Sequence, residues 1–299
     1  MHLLMLGVTF CWATNIVAGK EALTGFAPLA LAQLRVTGAG LIYAMAFLAS
    51  RRSLRLSRRA WATLFLVALN GVTLNQLFFI GGLARSTVTH TGLIVALGPV
   101  MVLVLACLMR MEALTPSKLA GMLIAFAGVG LLSAKGAPSG HGSYWLGDLI
   151  LLAGSAVFAY YTILVKKVAD AYDALSLNML TFVMGAILMV PFSVSALRGA
   201  HWTALGARAW WGLAYMVVLG TVVPYMLFAI ALTGLAASRV AAFSYLQPII
   251  AMALGLWLLS EKLTWNVVIG GTLILAGVYL TERQRGEENS AGSADAAAA

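Results

Sequence analysis

The feature that most limits this chain is a block that occurs twice. "GPVMVLVLACLMRMEALTPSKLAGMLIAFAGVGLL" (98–132) falls without a gap on "QPIIAMALGLWLLSEKLTWNVVIGGTLILAGVYLT" (247–281) after a shift of 149 residues. Pro99 then meets Pro248, Glu112 meets Glu261, and Leu114-Thr115 meets Leu263-Thr264. Gly121 meets Gly270, and Ala127-Gly128-Val129 meets Ala276-Gly277-Val278. Chance similarity between apolar stretches does not align Pro, Glu and two Gly in one register. A weaker echo at a shift of 146 pairs Trp12 with Phe158, Ala13 with Ala159 and Lys20 with Lys166. The chain is a tandem duplication joined near 135–145.

What is duplicated is membrane-spanning. The chain is 62% hydrophobic and 10% charged, with mean hydropathy +0.94. A soluble domain carries about 25% charged residues, so one soluble core cannot hide this much apolar surface. A span needs roughly 20 mostly apolar residues. Ten segments qualify, near 2–20, 28–50, 61–82, 88–109, 116–134, 145–165, 174–197, 208–231, 238–259 and 265–282. The apolar run from Leu3 lacks the basic n-region and cleavage site of a signal peptide, so it reads as the first span. The tail 286–299, "GEENSAGSADAAAA", is polar and low in complexity, and is expected to be disordered.

Five spans per copy is an odd number. The second copy must enter the membrane with opposite orientation. The expected fold is therefore all-α, with ten transmembrane helices in a 5+5 inverted-topology repeat: residues 1–135 (spans 1–5) and 145–282 (spans 6–10). Secondary transporters use this architecture to alternate between two sides. With the N-terminus on one side, that side carries twelve Lys and Arg against six, with Arg35 left inside span 2. The positive-inside rule then places both termini in the cytoplasm. The net charge of +9 reports this loop bias, not affinity for nucleic acid.

Polar and aromatic residues inside spans are the candidate binding set. Trp12 and Asn15 share one face of span 1. Asn75 and Phe79 share a face of span 3. Tyr161 lies in span 6, Tyr225 in span 8, and Ser244, Tyr245 and Gln247 in span 9. A pocket of aromatic walls with a few fixed polar groups suits a small amphipathic ligand, and aromatic faces attract an amine cation. Taken singly, each residue also fits interhelical hydrogen bonding or an interfacial belt. Pro99, beside Gly98, and Pro248 fall at the middle of spans 4 and 9. Each removes a backbone donor, freeing the carbonyls of Val95 and Ser244, and so is a candidate hinge or cavity wall.

Charges within the membrane are functional candidates by default. Arg35 lies seven residues into span 2, where it can snorkel, pair or meet substrate. Glu112 and Glu261 follow spans 4 and 9. They are expected to tie a short turn or pair with Lys118 or Lys262. No Asp or Glu lies at the middle of a span. That argues against proton coupling through a central carboxylate and against an intramembrane aspartyl protease. His-Glu-x-x-His and a phosphate-binding Gly loop are both missing. Cys11 and Cys107 provide neither a disulfide framework nor a metal set. No enzyme activity, cofactor or metal is expected, and nothing fixes an oligomeric state.

The duplicated "P…E.LT…G……G" blocks, "CWATNIVAGKEAL" (11–23) and Arg35 in "LAQLRVTG" together resemble the EamA family of the drug/metabolite transporter superfamily. The resemblance covers roughly 2–282. It implies a carrier of small metabolites, many members being amino-acid exporters. It also implies a central cavity lined by spans 1, 3, 4, 6, 8 and 9, with spans 5 and 10 as packing partners. Among members the chain looks most like bacterial aromatic amino-acid exporters of the inner membrane. A carrier for a nucleoside, sugar or drug fits the same fold, and a membrane receptor or scaffold fits the span count without the repeat. The expected partners are a small-molecule substrate and membrane lipid.

Overall fold

The computed structural model describes residues 2–51, 58–110, 114–133, 144–166, 172–227 and 246–298, and every regular element among them is helical. The first half holds α1 (His2–Ala22), α2 (Pro28–Ala49), α3, α4 and α5 (Pro116–Ser133). α3 is composite: Arg58–Ala68 passes through a π-helical turn, Leu69–Leu74, into Asn75–Leu83. α4 is broken into Val88–Val95 and Gly98–Leu108. The second half holds α6 (Trp145–Lys166), α7 (Ala174–Arg198), α8 (Ala207–Leu227), α9 (Leu246–Leu258) and α10 (Trp265–Ala298). α8 carries its own π-helical turn at Val218–Val222.

Eight of these helices are long and apolar enough to cross a membrane. α9 and the Trp265–Thr281 part of α10 are shorter apolar helices. The sequence spans match the helix ends to within a few residues, except at 208–231 and 238–259, where 228–231 and 238–245 lie outside the described residues, and at the end of 265–282. α10 runs on to Ala298, through the tail read as disordered. Ala and Glu are strong helix formers, and a helix already nucleated in the preceding span extends at low cost.

Local chemistry explains the helix starts. Pro28 and Pro116 open α2 and α5, where a missing N–H costs nothing. Asp173 caps α7 by accepting from the N–H groups of Leu175 and Ser176 at 3.1 and 3.2 Å. The outer faces are apolar: Leu41, Met45, Leu123, Ile187, Trp257 and Trp265 are all exposed. A surface of this kind is at home against hydrocarbon and not against water.

The halves interlock helix by helix. α5 packs against α10, α2 against α7, α3 against α6, α1 against α8, and α4 against α9. Exchanging the halves maps this set of pairs onto itself. Three pairs join repeat mates, and each runs antiparallel. Gln33 reaches the Ala186 carbonyl (3.0 Å) and accepts from Ser193 (2.7 Å), while Gly40 lies on Phe182. On α5 and α10, Gly121 abuts Gly277 and Gly128 abuts Gly270. A Cβ on Gly128 would lie 2.7 Å from the Gly270 carbonyl oxygen, so only glycine allows this approach. These small residues let the two helix backbones touch.

Candidate functional site

The two π-helical turns stand at matching places in the repeat. Gly71 and Gly220 are 149 positions apart, the same shift that aligns the duplicated blocks. A π-helical turn inserts one residue into the helix and loosens the backbone ladder, leaving carbonyls for other donors. Both glycines are pressed by a neighbouring helix: the Tyr161 ring of α6 lies on Gly71, and the Asn15 amide of α1 lies on Gly220. Asn15 and Tyr161 are themselves 146 positions apart, the shift that relates spans 1 and 6.

Arg35 enters this centre from α2 and is 4% exposed. Its Nε donates to Thr221 Oγ1 at 2.9 Å, one terminal nitrogen to Gln76 Oε1 at 2.9 Å, and the other to the Gly220 carbonyl at 3.2 Å. The guanidinium lies 5.6 Å from the centre of the Phe79 ring, within cation–π range. From the same helix, Tyr43 donates to the Val222 carbonyl at 3.0 Å. Two carbonyls of the α8 π-turn are thus held by two side chains of α2. All hydrogen-bond partners of Arg35 among the described residues are neutral. The ten acidic residues, at 21, 112, 148, 170, 173, 261, 282, 287, 288 and 294, all lie at span ends, in loops or in the tail.

The sequence-derived set converges on this point in part. The Trp12 ring meets Tyr225 edge-on at 6.0 Å, and Tyr225 meets Phe182 edge-on at 5.4 Å. Phe79 packs against three separate apolar clusters. Asn75 Oδ1 accepts a long bond, 3.4 Å, from Gln76. Asn15 is 4% exposed, and its Oδ1 accepts no hydrogen bond among the described residues. Tyr161 lies at the other π-turn, beside Phe158. Ser244 and Tyr245 lie outside the described residues. Gln247 is half-buried at the start of α9.

The Gly98-Pro99 break is real but local. The Ile94 carbonyl, whose usual donor at Gly98 is displaced, accepts instead from Leu97 N at 3.1 Å and Ser155 Oγ of α6 at 3.4 Å. Gly98 and Pro99 are half-buried, and a Cβ on Gly98 would meet nothing within 4 Å. Pro248 is buried, its Cα 3.6 Å from where a Gly92 Cβ would sit, so α4 and α9 cross there.

Sequence reasoning missed Gln76, Thr221, Phe182 and Tyr43 as members of the centre. It also missed the reach of Glu261. That carboxylate pairs with neither Lys262 nor its own turn. It accepts from the N–H groups of Val88 and Thr89 at 2.6 and 3.0 Å, and from Thr89 Oγ1 at 2.5 Å. It caps the start of α4 from the opposite half, where a negative charge meets the positive helix end. Glu112 lies outside the described residues. Nearby, Asp148 is 1% exposed and accepts from Ser86 (2.5 Å) and Ser133 (2.7 Å) and pairs with His90 Nδ1 (2.9 Å). Burial, with the carboxylates of Glu261 and Asp148 nearby, holds the Tyr144 phenol above its usual range.

Comparison with known proteins decides the family. The sequence profile of the EamA-like transporter family matches residues 1–134 and again 145–283. The chain belongs to the EamA-like transporter family. An uncharacterized transporter of Archaeoglobus fulgidus is 32% identical to this EamA-like chain over 94% of its length and 96% of the relative's. The uncharacterized transporter YvbV of Bacillus subtilis is 26% identical over 97% and 93%. A protein of Streptantibioticus cattleyicolor named "Probable terminal-alkyne amino-acid exporter" is 24% identical over 91% and 90%. A protein crystal structure 20% identical in sequence superposes with a TM-score of 0.63 over 93% of this chain and 94% of that one, which extends the likeness to the fold. The EamA-like chain is thus a multi-pass membrane transporter and not an enzyme.

Proposed function

We propose that this EamA-like transporter exports aromatic and other neutral amino acids across the bacterial inner membrane, with both termini in the cytoplasm. It works by alternating access in a ten-helix, 5+5 inverted repeat. The observation that carries the reading is the centre itself: the polar Asn15, Arg35, Gln76 and Thr221 stand together with the rings of Trp12, Phe79, Phe182 and Tyr225. An amphipathic zwitterion matches both. The antiparallel packing of the repeat mates α2 with α7, α4 with α9 and α5 with α10 supports the inversion. So does the double family match. Amino acids as a class also draw on the printed name of the Streptantibioticus relative.

In this reading the substrate lies between the two π-turns, against Trp12, Asn15, Asn75, Phe79, Tyr161 and Tyr225. Ser244, Tyr245 and Gln247 complete the wall from span 9. The breaks at Gly98-Pro99 and Pro248 let α4 and α9 rock against the rest of the bundle. Liposomes holding the purified protein and preloaded with labelled tryptophan, phenylalanine or threonine test this. Protein-dependent efflux of at least one is expected. Efflux no faster than from empty liposomes for all three overturns the substrate assignment.

A further inference from the structure

We propose that Arg35 and Asn15 form a zwitterion clamp, in which Arg35 binds the substrate carboxylate and Asn15 Oδ1 accepts from its ammonium group. This rests on the transport reading above and names the chemistry its substrate must carry. Two independent observations point to it. The first is a buried guanidinium with no anion among the described residues. Three of its N–H groups are spent on neutral acceptors, and these fix its plane; a guanidinium has five. The second is an orphan: Asn15 Oδ1 is buried and accepts nothing among the described residues. Buried acceptors are nearly always paired, so one left open calls for a donor. Both groups bear on one residue, Gly220. Arg35 donates to its carbonyl, and Asn15 covers the face where a side chain would stand.

The repeat provides an internal control. Val36-Thr37-Gly38-Ala39 recurs as Val183-Met184-Gly185-Ala186, so Arg35 stands in the place of Phe182. Gln76 stands in the place of Tyr225, and Asn15 in that of Tyr161. Three polar or charged positions in one half are aromatic in the other. If Arg35 served only the packing of a repeat, the mate would need an equivalent, and a phenylalanine fills that place. The asymmetry orients a ligand: its charged end lies toward α1–α3 and its apolar end toward Phe182, Tyr225 and Tyr161. A carrier that closes over its substrate from both sides keeps such a charge away from bulk water, where it would be screened.

The test uses matched ligand sets and thermal stabilisation of the full chain in nanodiscs, since a ligand that binds the folded state raises its melting temperature. One set is tryptophan, 3-indolepropionate (no ammonium) and tryptamine (no carboxylate). The other is leucine, 4-methylpentanoate and isoamylamine. The expected order in each binding set is amino acid, then acid, then amine. Arg35→Gln weakens the amino acid by about 10- to 100-fold, the range for a lost hydrogen bond to a charged group. Asn15→Asp keeps the bonds of Arg35 but puts a carboxylate beside it. It lowers affinity for the acid, which has no ammonium to offset the repulsion, and raises affinity for the amine, even if Arg35→Gln does not fold.

The amine binding as tightly as the amino acid overturns the clamp, and so do unchanged affinities for the acid and the amine in Asn15→Asp. If only the leucine set binds in this order, the clamp stands and the aromatic preference fails. If nucleosides or sugars stabilise the protein and no carboxylate does, the clamp is wrong while transport by the same fold survives. If no ligand stabilises it and no solute moves, both readings fall.

Discussion

The two π-turns share one backbone plan and differ in what leans on them. At Gly71 the neighbour is the rigid Tyr161 ring; at Gly220 it is the Asn15 amide, with Arg35 on the adjoining carbonyl. Duplication preserved the irregular turn and the glycine that permits close approach. It did not preserve the side chains that fill the centre. The scaffold is therefore symmetric and the chemistry is not. Under the proposed transport reading, the symmetric scaffold would let each half take the other's conformation, and the asymmetric side chains would give the substrate one orientation.

The sharpest way to break this comparison is to add a methyl at each glycine. Gly71→Ala drives a Cβ into three atoms of a packed ring, whereas Gly220→Ala meets the end of an amide side chain that can turn. Gly71→Ala is expected to cost about 1–3 kcal/mol, the usual range for overpacking, and Gly220→Ala less. Melting curves of the two variants check this, with Tyr161→Ala restoring the first. Equal melting temperatures would mean that the turns are not held as described.

A middle-sized effect is expected at the aromatic half. Tyr225→Leu removes its edge-on contacts with Trp12 and Phe182. Each such pair contributes about 0.5–1.5 kcal/mol beyond area burial. Affinity for tryptophan should fall several-fold more than affinity for leucine. An equal fall for both would place the side-chain pocket elsewhere. The smallest effect is at Glu261. Glu261→Gln keeps one of the two accepting oxygens, replaces the other with an NH2 that cannot accept, and removes the charge at the start of α4; the salt-sensitive part, the charge, is worth about 0.3–1 kcal/mol. A modest drop in melting temperature that shrinks in high salt checks it. A salt-independent drop would assign its role to packing.

Much of this was legible in sequence because hydrophobic length and the register of Pro, Glu and Gly survive duplication. The span positions follow from hydrophobic length, whereas the packing of α5 on α10 and the choice of α1, α3, α6 and α8 as neighbours of one centre came from the family resemblance. The π-turns were not legible. One inserted residue changes which face follows it, and no residue type marks the insertion. Gln76 was missed for that reason, since its approach to Arg35 depends on the turn just before it. Phe182 was missed because a phenylalanine in an apolar span looks like any packing residue until its repeat mate is seen to be arginine. Glu261 read as a turn residue because its partners, Val88 and Thr89, lie in the other half of the chain.

Alternation itself is tested most directly by a reversible lock across the α4–α9 crossing. A Cβ on Gly255 would lie 3.1 Å from Thr89 Oγ1 and 2.7 Å from Glu261 Oε2, so cysteines at both positions are placed to join once the Glu261 carboxylate turns aside. In a background where Cys11 and Cys107 are replaced by serine, Thr89→Cys with Gly255→Cys should carry amino acids when reduced, stop when oxidised, and recover on reduction. A fully formed disulfide with undiminished transport would show that α4 and α9 never part at this end, and would contradict the account.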